Sequence, residues 1–112
     1  ITRFGAANVQ AKLPLLLDEL MKREIKVVLV CDAVHGNTTT NKDKIKIRDV
    51  DLIMQELCAT YKIVVEHGQV FGGVHLEASS DNVTECIGGI TKIDDVKKNY
   101  TTQCDPRLNF FQ

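Results

Sequence analysis

Two amphipathic segments alternate with two short apolar segments along the chain. Apolar side chains recur at helical spacing over residues 14–24 and again over residues 51–67, which predicts two helices. Pro14 fits the first turn of a helix, where a missing N–H costs nothing, and it follows a predicted helical turn over residues 7–13. Gly68 lies where the C-terminal cap of the second helix belongs.

The two apolar segments have the pattern of strands. Residues 26–30 are almost continuously apolar, which is typical of a strand covered on both faces. Residues 74–77 alternate instead, so we expect the two apolar side chains of this segment to face the helices. His75 and Glu77 then share a polar face that points inward. The polar stretch between the strands, residues 32–46, predicts a long loop.

The rest of the chain is polar. We expect a helical turn within residues 79–89, a short helix over residues 93–99 and a polar turn over residues 104–109. The order of elements is then βαβαβ, which is typical of an α/β fold with a parallel sheet. Two strands and the end of a third are too few to cover the faces and edges of such a sheet. The pattern therefore predicts one partial domain over residues 1–112, without an internal boundary.

Composition excludes several classes of protein. The 112 residues are 44% hydrophobic and 26% charged, as in an ordinary globular protein. Fourteen basic and fifteen acidic side chains are intermixed, which argues against nucleic-acid binding. No apolar run approaches the roughly 20 residues that span a bilayer, and the N-terminus lacks a signal-peptide pattern. None of the four cysteines forms a Cys-x-x-Cys pair, so we expect a cytoplasmic protein without disulfides.

Side chains that can bind metals or anions follow the predicted strands. His35 lies just beyond the first strand and Glu77 ends the second, and α/β folds bind ligands at these strand ends. Each of these residues also has a simpler interpretation when it is considered alone. His35 would be a loop histidine, Glu77 would be a carboxylate in a salt bridge, and Asp105, which precedes a proline, would be a turn former. Three basic side chains, each considered alone, are typical of solvated surface charges: Arg3, Lys46 and Arg48.

Five short motifs give these residues a common context. They are TRFGA at residues 2–6, CDAVHGNT at 31–38, GGVHLE at 72–77, NVTECIGG at 82–89 and CDPRLN at 104–109. In this order and spacing they resemble the class II (plant-type) 3-deoxy-D-arabino-heptulosonate 7-phosphate (DAHP) synthases. The resemblance implies an α/β fold that is the C-terminal third of a (β/α)8 TIM barrel: the end of strand six, then strands seven and eight with their helices.

The resemblance also implies a reaction and a metal. The family condenses phosphoenolpyruvate with erythrose 4-phosphate, the first step of the shikimate pathway, and requires a divalent ion, manganese or cobalt. Carried over to this chain, it makes His35, Glu77 and Asp105 metal ligands and Arg3 a ligand of the phosphoenolpyruvate phosphate; the family's cysteine ligand has no counterpart here. Independently, one imidazole and two carboxylates suit manganese better than structural zinc, and arginine offers phosphate a planar fork.

Further residues have less direct roles by the same resemblance. Lys46 and Arg48 occupy positions where the family is basic, so they are candidate ligands of a substrate phosphate. His75 is expected to pack near the metal without binding it, and Cys104, beside Asp105, to be either a metal-proximal thiol or an inert one. The implied partners are the two substrates, the remainder of the barrel and further copies in a homo-oligomer, in the cytoplasm or, in a plant, the plastid.

The chain also departs from the family pattern. Ala33 and Val34 replace Pro-Met, Phe110 and Phe111 follow the last motif in place of small or basic residues and serine, and Asp49 replaces a basic residue. These changes concern loop geometry and the second phosphate site rather than the metal ligands. An alternative function is therefore a catalytically inactive binding or regulatory fragment. Either function predicts uncovered apolar faces in this part of the chain by itself.

Overall fold

Two parallel strands form the centre of the structure, a computed structural model that describes residues 1–112. Strand β1, Val28–Asp32, pairs with β4, Val70–His75. Thr2 extends this pairing on the other side of β1, since its N–H donates to Val30 and its carbonyl oxygen accepts from Asp32, both at 2.8 Å. The N-terminal end, β1 and β4 thus lie side by side in parallel, as the βαβαβ order predicts.

Two helices cover one face of these strands. Helix α1 is Val9–Lys22 and helix α2 is Val50–Glu66. One buried apolar cluster joins them to the first half of β1: Val9, Leu13, Leu17, Leu29 and Val64. A second cluster lies nearer the C-terminal end of β1: Cys31, Ala33, Val34, Ile53, Cys86 and Leu108. The fold is mixed α/β, as expected, and the core lies between the helices and β1.

Helix α1 begins earlier than predicted. The prediction started it at Pro14, but the helix runs from Val9 and contains Pro14 in its interior. Val9, Leu13 and Leu17 are spaced by four residues and are all fully buried, so one apolar stripe continues across the proline. Burial of this stripe outweighs the lost hydrogen bond, and the exposed position of Gln10 leaves its unpaired carbonyl oxygen to water.

Helix α2 lies where the sequence predicts it. The Asp49 side chain caps its first turn by accepting from the Asp51 N–H at 2.9 Å. At the other end, Gly68 has φ +66° and its N–H donates to the Val65 carbonyl oxygen at 2.9 Å. A left-handed residue here is the usual helix stop, and glycine adopts it without strain.

The predicted loop over residues 32–46 contains regular structure. A 3-10 helix, His35–Asn37, follows β1, and β2, Thr38–Thr40, pairs antiparallel with β3, Lys46–Asp49. Asn41 closes the turn, because its side-chain oxygen accepts from the N–H groups of Asp43 and Ile45, both at 2.9 Å. Strand β5, Cys86–Ile87, pairs parallel with β3 and completes a second, three-stranded sheet.

Both strands of the central sheet are shifted from their predicted positions. Strand β1 runs two residues further toward the C-terminus, and β4 begins four residues earlier and ends at His75. The pairing shifts register opposite Gly72, where a Cβ atom would lie 2.2 Å from Cγ1 of Val28. The glycine therefore permits the close approach of β1 and β4.

Two further predictions were wrong. Val74 and Leu76 do not pack under helices and are 44% and 50% exposed, because Val74 lies on the edge strand β4 and Leu76 in the irregular chain that follows it. Residues 79–89 contain strand β5 instead of a helical turn. The short helix predicted over residues 93–99 is confirmed, as a 3-10 helix, Ile93–Lys98. Neither α1 nor α2 is long and apolar enough to cross a membrane.

The opposite face of the central sheet is uncovered. Val28 and Val70 face each other in register and are 62% and 59% exposed. The radius of gyration is 15.5 Å, whereas a compact domain of this length has about 13 Å. The chain is thus more extended than a closed domain, and an apolar strip lies at its surface.

Candidate metal centre

The three predicted metal ligands converge at the C-terminal ends of β1 and β4. His35 comes from the 3-10 helix after β1, Glu77 from the segment after β4, and Asp105 from the C-terminal segment. Each offers one ligand atom, and these atoms all lie within 4.8 Å of one another. The His35 Nε2 is 3.3 Å from Oε2 of Glu77. All three side chains are partly exposed, so the cluster is open to small ions.

Asp32 determines the orientation of the His35 ring. The His35 Nδ1 lies 3.0 and 2.9 Å from the two carboxylate oxygens of Asp32. A carboxylate only accepts, so Nδ1 carries a proton, and Nε2 is the ring nitrogen on the side of Glu77 that an ion could bind. The backbone N–H groups of Val34 and His35 also donate to Asp32. The ring is therefore held in the tautomer that a metal ligand requires.

The same carboxylate binds Arg3. The Nε and Nη2 of Arg3 lie 2.8 and 2.7 Å from Oδ2 of Asp32, and the Arg3 side chain is 53% exposed. Asp32 is fully buried, which works to raise its pKa, but the hydrogen bonds from the side chain and backbone of His35 and the charge of Arg3 outweigh burial and lower the pKa. Asp32 thus links Arg3 to His35, while the outer edge of the guanidinium remains in solvent.

Arg48 lies beneath the two carboxylates and is fully buried. Its Nη1 donates to Oε2 of Glu77 at 2.7 Å and to the carbonyl oxygen of Pro106, and its Nε donates to Oγ1 of Thr38 at 2.8 Å. Its Nη2 is buried without a hydrogen-bond partner, 4.0 Å from Oδ2 of Asp105. Arg48 is therefore not a solvated surface charge, and its predicted contact with a substrate phosphate stays a prediction.

Lys46 pairs with the third candidate ligand. Its Nζ lies 2.8 Å from Oδ1 of Asp105, and the side chain is 52% exposed. The hydrogen bond from Lys46 holds the pKa of Asp105 below its ordinary value, and the same bond raises the pKa of Lys46. The two carboxylates of the cluster are therefore balanced by one mobile cation and, in Arg48, one buried cation.

His75 and Cys104 lie at the margin of the cluster. His75 is the register partner of Asp32, and its ring centroid is 6.4 Å from that of His35. Cys104 is exposed and precedes Asp105 in the chain. Both positions are near the three candidate ligands, and the roles predicted for His75 and Cys104 stay predictions.

Comparison with known proteins identifies the family. The sequence profile of the class-II DAHP synthetase family matches residues 1–112, the whole chain. The chain belongs to this family. It is 43% identical to the phospho-2-dehydro-3-deoxyheptonate aldolase of Neurospora crassa over 97% of the chain and 24% of the relative. For the protein of that name in Streptomyces coelicolor the identity is 37%, over 97% of the chain and 25% of the relative.

A third relative extends the same observation. The probable phospho-2-dehydro-3-deoxyheptonate aldolase of Pseudomonas fluorescens is 38% identical, over 100% of the chain and 28% of the relative. The chain thus spans about a quarter of the length of the curated relatives it matches.

Glu85 supports the segment that carries Asp105, and the sequence did not indicate this role. The side chain is fully buried and accepts from the backbone N–H groups of Thr101, Thr102 and Arg107 at 2.8 to 3.1 Å. The Arg107 guanidinium adds bonds of 2.9 and 2.7 Å. Burial alone raises the pKa of Glu85, but these donors outweigh it and lower the pKa to about 2. One carboxylate thereby shapes an irregular segment.

The signals for the missed residues were weak. Asp32 lies three residues before His35 at a strand end, a spacing that fits a carboxylate–histidine pair. Glu85 lies within the NVTECIGG motif between polar neighbours and has no local partner, since its donors are 16 to 22 residues further along the chain. Asp32 was within reach of sequence reasoning, and Glu85 was not.

Proposed function

We propose that this chain is the C-terminal part of a class II, plant-type DAHP synthase and supplies one side of its metal-dependent active site. The reaction joins C3 of phosphoenolpyruvate to the aldehyde carbon of erythrose 4-phosphate; water adds at C2 and phosphate leaves. The observation that carries the proposal is the convergence of His35, Glu77 and Asp105 within 4.8 Å, in a chain that belongs to the DAHP synthase family.

The residues of the cluster fit a divalent first-row ion. His35, Glu77 and Asp105 would hold it, and one imidazole with two carboxylates suits Mn²⁺, or Co²⁺, better than a thiolate-rich zinc site. Asp32 supports this fit, because its contact with Nδ1 leaves the other ring nitrogen free to bind. When bound, the ion would supply Lewis-acid polarisation of the aldehyde oxygen of erythrose 4-phosphate.

The basic residues have distinct tasks in the proposed site. Arg3, held by Asp32 on one edge, binds the phosphate of phosphoenolpyruvate with the edge that faces solvent. Lys46 is half-exposed and can leave Asp105 to meet a substrate phosphate. Arg48 fixes Glu77 and the carbonyl group after Asp105, and its unpaired Nη2 is the one donor it still has to offer an anion.

The incomplete sheet supports a barrel fragment. In the proposed arrangement, Thr2 ends strand six, β1 is strand seven and β4 is strand eight of a (β/α)8 barrel. The uncovered face around Val28 and Val70 would then point into the barrel, where side chains from the other strands fill the interior. The remaining strands and a further metal ligand would come from outside these 112 residues, and the complete protein would form a homo-oligomer.

The test removes one candidate ligand from the protein as it is naturally expressed. His35→Ala is expected to abolish manganese-dependent phosphate release from phosphoenolpyruvate and erythrose 4-phosphate, and to weaken Mn²⁺ binding measured by electron paramagnetic resonance. His67→Ala is the control, because His67 lies at the end of α2 and bonds to the Ile63 carbonyl oxygen. Undiminished activity in His35→Ala would contradict the ligand assignment.

A second candidate is an inactive binding module built from the same barrel fragment. Phe110 and Phe111 favour it, since they replace small or basic residues and serine of the family pattern and are 78% and 65% exposed. An exposed aromatic pair is typical of an interaction surface. This candidate predicts Mn²⁺ binding without turnover in the naturally expressed protein, and manganese-dependent turnover would exclude it.

A further inference from the structure

A buried carboxylate outside the metal cluster connects two of the segments that build it. Glu56, in the middle of α2, is fully buried. Its Oε1 accepts from the backbone N–H groups of Phe4 and Gly5, both at 2.9 Å. Its Oε2 accepts from Nδ2 of Asn37 at 2.7 Å. Glu56 is absent from the ion pairs of the structure, so these three donors alone stabilise its charge.

Asn37 has only one orientation that satisfies its surroundings. Its Oδ1 accepts from the Ala6 N–H at 2.9 Å, and its Nδ2 donates to the carbonyl oxygen of Ala33 at 2.8 Å as well as to Glu56. A flipped amide would lose the bonds to Ala6 and Ala33 together. Nδ2 of Asn37 therefore always points at Glu56, which must present an acceptor.

The two segments that Glu56 joins also touch directly. A Cβ atom on Gly5 would lie 2.6 Å from the carbonyl oxygen of Gly36, and one on Gly36 would lie 2.5 Å from the Gly5 nitrogen. Glycine at both positions permits this contact. Arg3 lies two residues before Gly5 and His35 immediately before Gly36. Arg3 and His35 therefore lie on two segments whose backbones are in direct contact, in addition to the contact that both side chains make with Asp32.

We propose that Glu56 is a positioning residue, which holds the Arg3 segment against the His35 segment and so sets where the phosphate of phosphoenolpyruvate lies relative to the metal cluster. The inference rests on the proposed function and deepens it. Glu56 lies beneath both segments, and its bonds reach 52, 51 and 19 residues along the chain. Its effect on substrate passes through Arg3 and His35 alone.

The proposal requires the charge of Glu56 and not only its shape. A glutamine at this position has one acceptor oxygen and one donor nitrogen. If the oxygen faces Phe4 and Gly5, the nitrogen faces Nδ2 of Asn37, a donor against a donor; the reverse orientation opposes two backbone N–H groups instead. Either way a buried donor loses its partner, and the two segments move apart.

The test compares three variants of the naturally expressed protein with the parent. In Glu56→Gln, the KM for phosphoenolpyruvate is expected to rise about tenfold or more, with little change in the KM for erythrose 4-phosphate. Binding of phosphoenolpyruvate, measured by calorimetry, should weaken by the same factor. Glu66→Gln removes the same charge from an exposed position of α2 and is the control.

A paired substitution separates positioning from general loss of stability. In Glu56→Gln with Asn37→Asp, the glutamine nitrogen again meets an acceptor and the net charge is that of the parent. Phosphoenolpyruvate binding should recover in part, since the Ala33 carbonyl oxygen still lacks its donor. This variant also keeps the test decisive if Glu56→Gln alone does not fold.

The outcomes are distinguishable. Parental KM and calorimetric affinity for phosphoenolpyruvate in Glu56→Gln, or a fall in kcat alone, would overturn the positioning role and leave the proposed function intact. No gain in the paired variant over Glu56→Gln would also overturn it. If the parent protein itself binds no phosphoenolpyruvate, the proposed function fails, and the inference that rests on it fails too.

Discussion

Among single residues, Asp32 has the largest number of consequences for the site. It binds the Arg3 guanidinium and the His35 ring at the same time, and it accepts two backbone N–H groups that shape the turn after β1. These donors hold the pKa of Asp32 below its ordinary value despite burial. The tautomer of His35 and the orientation of Arg3 therefore depend on one charge.

The first prediction concerns a substitution that removes the charge of Asp32 and keeps the shape of its side chain. In Asp32→Asn, one of the two side-chain oxygens becomes a donor. It opposes Arg3 and the Nδ1 proton of His35 if it replaces Oδ2, and the backbone N–H groups of Val34 and His35 if it replaces Oδ1. We expect Mn²⁺ affinity, measured by electron paramagnetic resonance, to fall by about 10- to 100-fold. Asp94→Asn is the matched control, because Asp94 is exposed. Parental Mn²⁺ affinity in Asp32→Asn would show that His35 needs no such partner.

Whether the sequence could predict the role of a residue depends on how far along the chain its hydrogen-bond partners lie. The family motifs brought His35, Glu77 and Asp105 together as candidates, and the structure places them in one cluster. Glu56 was missed, because one glutamate in an amphipathic helix looks like any other solvated residue. Its burial follows from donors as far as 52 residues away, which no local pattern records.

The length of a helix or strand largely decided whether it could be predicted from the sequence. Helix α2 has a long apolar period and clear ends, so its predicted bounds were nearly right. Strands β2, β3 and β5 have only two to four residues each, too few to show alternation. Helix α1 was misjudged because Pro14 is usually a boundary, and only tertiary packing shows that burial overrides it.

A second prediction concerns the irregular segment 101–107, which Glu85 holds in place. The pKa of Glu85 is about 2 in the folded chain, against an ordinary value of 4.5. A lowered folded pKa contributes stability above pH 4.5, and this contribution is lost as the pH falls toward 2. The contribution is about 3 kcal/mol. Glu85→Gln should therefore be less stable than the parent at pH 7, with the difference shrinking toward pH 2.

Urea unfolding of the naturally expressed protein at several pH values measures this difference. Glu66→Gln, in which an exposed glutamate is replaced, should keep the pH dependence of the parent. Because Asp105 lies in the held segment, Mn²⁺ affinity should also fall in Glu85→Gln at neutral pH. A stability difference that is constant between pH 7 and pH 2 would contradict the role assigned to the Glu85 charge.

For the whole molecule, the uncovered sheet face is the main structural fact. The small number of predicted strands indicated it, and the exposure of Val28 and Val70 agrees. The extents of 49 × 27 × 23 Å describe an elongated body. An exposed apolar strip of this kind is typical of a face that packs against another surface.

The third prediction tests this dependence by amide hydrogen exchange. In the 112-residue segment expressed alone, the amides of β4 should exchange rapidly, because one edge and one face of this strand are open. Addition of the remaining barrel segment should slow their exchange. Amides near Val64, within the buried helix cluster, serve as the internal reference. A strongly protected, monomeric segment would contradict the barrel-fragment proposal.

Lys46 is half-exposed and Arg48 is fully buried, and this difference has a consequence for ion selectivity at the proposed site. A divalent ion that approaches Glu77 and Asp105 competes with a guanidinium that cannot leave and an ammonium that can swing into water. Binding of a divalent ion at the proposed site would therefore exchange one cation for another, with a net gain of only one unit of positive charge if Lys46 withdraws. A monovalent ion that displaced Lys46 would add no net charge beside the two carboxylates, so we expect the proposed site to favour divalent ions over monovalent ones.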